Sequence, residues 1–104
     1  MNKIITDKIE ELKRLCLTFK VTSMYVFGSV CTENFNENSD IDILIAFDNV
    51  LSLEEYSDNY FELHYKLQDL FGREIDLLTE KSLSNPYFIK SLDKTKQLIY
   101  AAWN

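Results

Sequence analysis

A small-residue pair and two alternating acids stand ten residues apart in this chain: Gly28-Ser29, then Asp40-Ile41-Asp42. A third acid, Asp76, interrupts a later apolar run between Ile75 and Leu77. Residues two apart on a strand point to one side about 7 Å from each other, so Asp40 and Asp42 can reach one cation or bridge two. Asp is a poor strand former and is seldom buried unpaired, so an acid inside an aliphatic strand costs stability that a binding role would explain. Three carboxylates favour a hard cation such as Mg²⁺ over zinc. Glycine at a strand exit lets the backbone turn tightly and approach a ligand, and a helical turn begun at Ser29 would offer N–H groups and a hydroxyl to phosphate oxygens. The chemistry this set implies is the holding of a nucleoside triphosphate over metal ions. Each part alone has a plainer reading, a common Gly-Ser turn or a solvated acid next to Ser39; their combination points to a site.

The rest of the composition narrows the class. A chain of 104 residues with net charge −6 is expected to form one domain with a single core. No Lys or Arg occurs between Lys20 and Lys66, an interval that holds nine acids. Such a segment repels phosphate backbones, which argues against direct nucleic-acid binding and suits metal ions or a basic protein partner. No apolar stretch approaches the ~20 residues of a membrane span, and the N-terminus lacks a signal-peptide pattern. Cys16 and Cys31 form no CxxC pair and a single His gives no zinc cluster, so reduced thiols in a cytoplasmic protein are expected.

The elements that must position these residues follow from periodicity. Ile5, Ile9, Leu12, Leu15, Cys16 and Phe19 predict one amphipathic first helix. Val21 to Phe27 reads as a strand ending at Gly28, and 32–39 as a loop. Ile41 to Phe47 reads as a strand buried on both faces. Ser52 with Glu55 is a capping box, opening a helix through Leu53, Tyr56, Tyr60, Leu63, Leu67 and Leu70 that Gly72 ends. Glu74 to Thr79 is a third strand and Ser84 to Leu92 a helix with Pro86 in its first turn; Gln97 to Ala102 is strand or helix. The expected fold class is α/β (α+β), a small mixed sheet with helices packed against it.

The run Phe27-Gly28-Ser29 through Ser39-Asp40-Ile41-Asp42-Ile43-Leu44, with Glu74-Ile75-Asp76-Leu77-Leu78, resembles the minimal nucleotidyltransferase (MNT) domain of the DNA polymerase β-like superfamily. The resemblance spans nearly the whole chain and implies a single domain over residues 1–104 with the nucleotidyltransferase fold. It implies metal ligation by Asp40, Asp42 and Asp76, usually of two Mg²⁺ ions, and binding of the ATP phosphates at Gly28 and Ser29. Asp76 would also help deprotonate the attacking hydroxyl. Members of this size are similar to the antitoxins of HEPN/MNT toxin–antitoxin pairs, which implies AMP transfer to a tyrosine of a HEPN ribonuclease partner and a homo- or hetero-oligomer. The chain departs from the family's pattern after the Gly-Ser pair. Many relatives carry a small residue, Arg and Gly there, whereas this sequence has Cys31-Thr32-Glu33.

Two groups of residues lie outside that motif. Arg73, Lys81, Lys90, Lys94 and Lys96 are either substitutes for the missing positive charge or solvated cations. Phe61 and Tyr65 form an aromatic pair on the flank of the long helix, as core packing or as a docking face, with His64 expected at the surface. The docking reading leads to an alternative function: a non-catalytic antitoxin that neutralises a basic partner by binding. Modification of a small molecule such as an aminoglycoside is a third reading, weakened by the want of a second domain for the acceptor.

Overall fold

The computed structural model describes residues 1–102. Lys3–Thr6 (α1) and Ile9–Thr18 (α2) lead into strand Val21–Phe27 (β1), and a 3-10 turn, Gly28–Cys31, opens the loop to Ile41–Phe47 (β2). Leu53–Phe71 (α3), Ile75–Thr79 (β3), a second 3-10 turn at Glu80–Ser82, Pro86–Thr95 (α4) and Gln97–Ala101 (β4) follow. The four strands form one mixed sheet in the order β3-β2-β1-β4. β1 runs antiparallel to β2 and β4, while β2 and β3 are parallel, a pairing that needs the long crossover α3 supplies.

Side-chain alternation on β2 explains its nearly continuous apolar run. Ile41, Ile43 and Ile45 are fully buried in the main core with Leu12, Cys16, Leu63 and Leu67 of the helices. Leu44 faces the other way, into a smaller cluster with Phe27 and Leu92, where α4 covers the sheet. Asp42 shares the parity of Leu44, so it lies on the face of the sheet that α4 covers. The same holds for Asp76, which alternates with buried Ile75 and Leu77.

Helix α3 begins and ends where its sequence signals stand. Ser52 accepts from the Glu55 N–H while the Glu55 side chain accepts from the Ser52 N–H, and Gly72 closes the helix in the left-handed region at φ 63°. The first helix differs from expectation. It breaks at Asp7-Lys8, because the Lys8 N–H bonds to the carbonyl of Ile5, three residues back, instead of continuing the α pattern. The bend brings both Ile5 and Leu12 fully into the core. Leu53 is 86 % exposed, so the apolar stripe of α3 meets the core only from Tyr56 onward. Asn85 caps α4 by accepting from the N–H groups of Tyr87 and Phe88, which places its start at Pro86, two residues after Ser84. The C-terminal segment is a strand, because β1 offers it an unpaired edge. Among the described residues no helix is long and apolar enough to cross a membrane.

Candidate active site

Sheet register places the three signals side by side. Asp76 on β3 is the parallel partner of Asp42 on β2, and Asp42 is the antiparallel partner of Phe27, the residue before Gly28. Adjacent strands lie about 4.8 Å apart, so residues far apart in sequence form one row across three strands. This row is one wall of a cleft of about 290 Å³, lined by Phe27, Gly28, Asp42 and Asp76 and, from α4, by Phe88, Ser91, Leu92 and Thr95. A larger groove of about 470 Å³ lies at the other end of β3, lined by Leu51, Tyr56 and Thr79 among others, with no carboxylate in its wall. The chemistry therefore points to the smaller cleft.

Two features favour glycine at position 28. Its φ of +70° is one that L side chains rarely adopt, and a Cβ there would stand 2.1 Å from Asp42 Oδ2. The Asp42 carboxylate thus rests against the bare glycine Cα as the chain turns out of β1. Ser29 follows within the 3-10 turn and is half-buried.

The acids are not equivalent. Burial, then the neighbouring charges of Asp76 and Asp40 and a hydrogen bond with Asp76, push the Asp42 carboxyl up to about 6. Asp42 and Asp76 are thus close enough to share a proton, whereas Asp40, exposed at the end of the loop, acts on Asp42 through its charge. Among the described residues, no three His, Cys, Asp or Glu side chains already stand at ion-holding spacing. The sequence pattern anticipates three converging carboxylates; the structure shows a close pair with the third on the adjoining loop. An all-oxygen donor set with repelling charges turned to one cleft fits a hard divalent ion such as Mg²⁺.

This arrangement makes stability depend on pH. Because the folded-state pKa of Asp42 lies above its unfolded value, its contribution is fully present below about 4 and is lost as pH rises through about 6. In chelator-treated protein, Asp42→Asn should raise Tm at pH 7.5 and leave it nearly unchanged at pH 4. The gain at high pH corresponds to about 1–2 kcal/mol after discounting for solvent screening. Melting curves of the two proteins across that range check the sign.

The candidate cations lie elsewhere. Arg73 donates to backbone carbonyls of the 32–40 loop, and Lys81 lies over the Tyr56 ring by the larger groove. Lys96 pairs with Asp93 at 2.8 Å and covers the Tyr25 ring, while Lys90 and Lys94 are exposed. Cys31, two residues after Ser29, directs its thiol to the Val26 carbonyl, and Thr32 and Glu33 are exposed. Both cysteines are free, and burial pushes the Cys16 thiol up to about 12.

His64 departs from the surface role expected of it. It is half-buried, and its Nε2 lies 2.7 Å from the Ile75 carbonyl; that oxygen can only accept, so Nε2 carries the proton. Four residues earlier on the same helix, Tyr60 donates to the Leu77 carbonyl at 2.6 Å. The two side chains cap the outer edge of β3 on either side of Asp76. No sequence pattern signals this, because it depends on how α3 crosses the sheet. Phe61 and Tyr65 are 67 % and 70 % exposed, which decides against core packing for that pair.

Fold and cleft together define a nucleotidyltransferase, and the sequence pattern of the nucleotidyltransferase domain matches residues 8–99. The chain belongs to this family, in its minimal form. It is 42 % identical over 100 residues to MJ1379 of Methanocaldococcus jannaschii, which is named as a protein adenylyltransferase, covering 94 % of this chain and 84 % of that one. A solved chain described as a minimal nucleotidyltransferase superposes with a TM-score of 0.74 at 26 % identity, over 93 % of this chain and 95 % of its own. The fold is shared with the MNT antitoxin seen in a complex with the tri-AMPylated HEPN toxin of Shewanella oneidensis, with a TM-score of 0.65 at 19 % identity, covering 92 % of this chain and 71 % of that one.

Proposed function

We propose that this transferase is a Mg²⁺-dependent antitoxin enzyme that moves AMP from ATP to a tyrosine hydroxyl of a HEPN-type toxin. The observation that carries this reading is the Asp42–Asp76 pair with Gly28 set against it on the wall of one cleft. The relative named as a protein adenylyltransferase and the AMPylated toxin complex support the choice of donor and acceptor. The 3-10 turn presents backbone N–H groups and the Ser29 hydroxyl to the phosphates, and the bare Cα of Gly28 leaves room for the Asp42 carboxylate beside that turn. Asp40, Asp42 and Asp76 would hold the metal, which when bound neutralises triphosphate charge and acidifies the acceptor hydroxyl. Asp76, the more exposed of the close pair, orients the tyrosine oxygen and accepts its proton. That oxygen bonds to the α-phosphorus as the bond to pyrophosphate breaks.

The acidic face of α3, with Phe61 and Tyr65 exposed between Asp58, Glu62 and Asp69, suits a partner with a basic, aromatic-accepting surface. That observation also favours a second reading, neutralisation of the toxin by binding alone. Two free cysteines suit a reducing cytoplasm. Incubation of the co-expressed pair with Mg²⁺ and ATP separates the readings. Label from the α-phosphate should appear on the partner's tyrosine and label from the γ-phosphate should not. A partner inhibited without any label would establish the binding-only antitoxin.

A further inference from the structure

Asp40 ends a loop without regular structure, and in the proposed site its carboxylate joins the pair on β2 and β3. Arg73, in the turn between α3 and β3, supplies a link. Its Nη1 donates to the carbonyls of Asn36 at 3.0 Å and Ser39 at 2.8 Å, the latter one residue before Asp40. The guanidinium lies over the Phe35 ring, 4.6 Å from its centroid, and Phe35 packs on the main core. The Ser39 N–H closes a turn onto the Asn36 carbonyl, so the guanidinium holds both ends of that turn. On the far side of Asp40, the Ile41 N–H donates to the Glu74 carbonyl at 3.1 Å, and the parallel ladder begins with Ile41 opposite Ile75.

We infer that Arg73 is a positioning residue that extends the β2–β3 pairing outward by one side-chain rung and so fixes Asp40 beside Asp42 and Asp76. Ordering the loop in advance removes that entropic cost from ion binding. A planar guanidinium sends two N–H bonds from one nitrogen while stacking on an aromatic ring; an ammonium keeps the charge without the stacked plane. Arg73→Lys is therefore expected to retain part of the effect and Arg73→Ala none.

The functional half of this inference rests on Asp40 belonging to the site, so two measurements are needed. In metal-free protein, Arg73→Ala should speed hydrogen exchange at the Ser39 and Ile41 amides by about 10-fold, with the β1 amides unchanged. Mn²⁺ binding, followed by electron paramagnetic resonance without nucleotide, should weaken by about 10-fold or more in Arg73→Ala. In an Asp40→Asn background the same Arg73 substitution should weaken it no further, since the loss acts through Asp40. Unchanged exchange at Ser39 and Ile41, or equal losses in both backgrounds, would overturn the inference. An Asp40→Asn protein that binds Mn²⁺ and transfers AMP like the wild type would instead overturn the membership of Asp40 in the site, and with it the proposed mechanism.

Discussion

Gly28→Ala is expected to lower AMP transfer by about 100-fold or more while the protein still folds. An added methyl would meet Asp42 Oδ2 at 2.1 Å, far inside contact distance, so either the carboxylate or the turn must move. The φ of +70° adds strain of about 1–2 kcal/mol for any L side chain. Gly72→Ala is the matched control. Gly72 also has positive φ, at +63°, but nothing lies within 4 Å of its missing Cβ. That variant should lose about 1 kcal/mol of stability and keep its turnover. Transfer rates and melting curves for the two variants therefore separate backbone strain from damage to the site. Equal activity in both would show that contact with Asp42 is unimportant.

Asp76→Asn is expected to reduce transfer by about 10²–10⁴-fold and to change ATP affinity only a few-fold. Its carboxylate lies beside Asp42 on the exposed side of the pair, where it can reach an acceptor; the turn at Gly28-Ser29 that would hold the phosphates is untouched. The substitution also removes one of the charges that raise the Asp42 carboxyl, so Asp42 should ionise at lower pH. Carboxyl titration by NMR in the metal-free variant reads this shift directly and shows that the fold survives. Retained turnover in Asp76→Asn would sink its assignment as proton acceptor.

Much of the fold was legible because its signals are local. The capping box at Ser52, the left-handed stop at Gly72 and the apolar period of α3 from Tyr56 onward each act within a few residues, and each is found where its sequence places it. The nearly continuous apolar run of β2 implied burial on both faces, and the two clusters that Ile43 and Leu44 enter are those faces. The break of the first helix at Asp7-Lys8 had no such signal. It follows from a turn that carries Ile5 and Leu12 into the same core, which is a tertiary demand. The C-terminal strand was ambiguous for the same reason, since its state depends on the free edge of β1.

By itself, the sequence carried the resemblance to the family, pointed to the α/β class and singled out Gly28, Ser29, Asp40, Asp42 and Asp76 as candidates, because acids inside apolar runs break a local rule that a binding role would explain. Only the tertiary structure decided how they meet. The parallel register sets Asp76 against Asp42, and the turn out of β1 sets Gly28 against the same carboxylate, while Asp40 stays on its loop. It also decided that Arg73 serves backbone carbonyls and that His64 caps a strand edge. Those roles arise from contacts between segments more than ten residues apart, and no local pattern encodes the partner of a hydrogen bond formed across that distance.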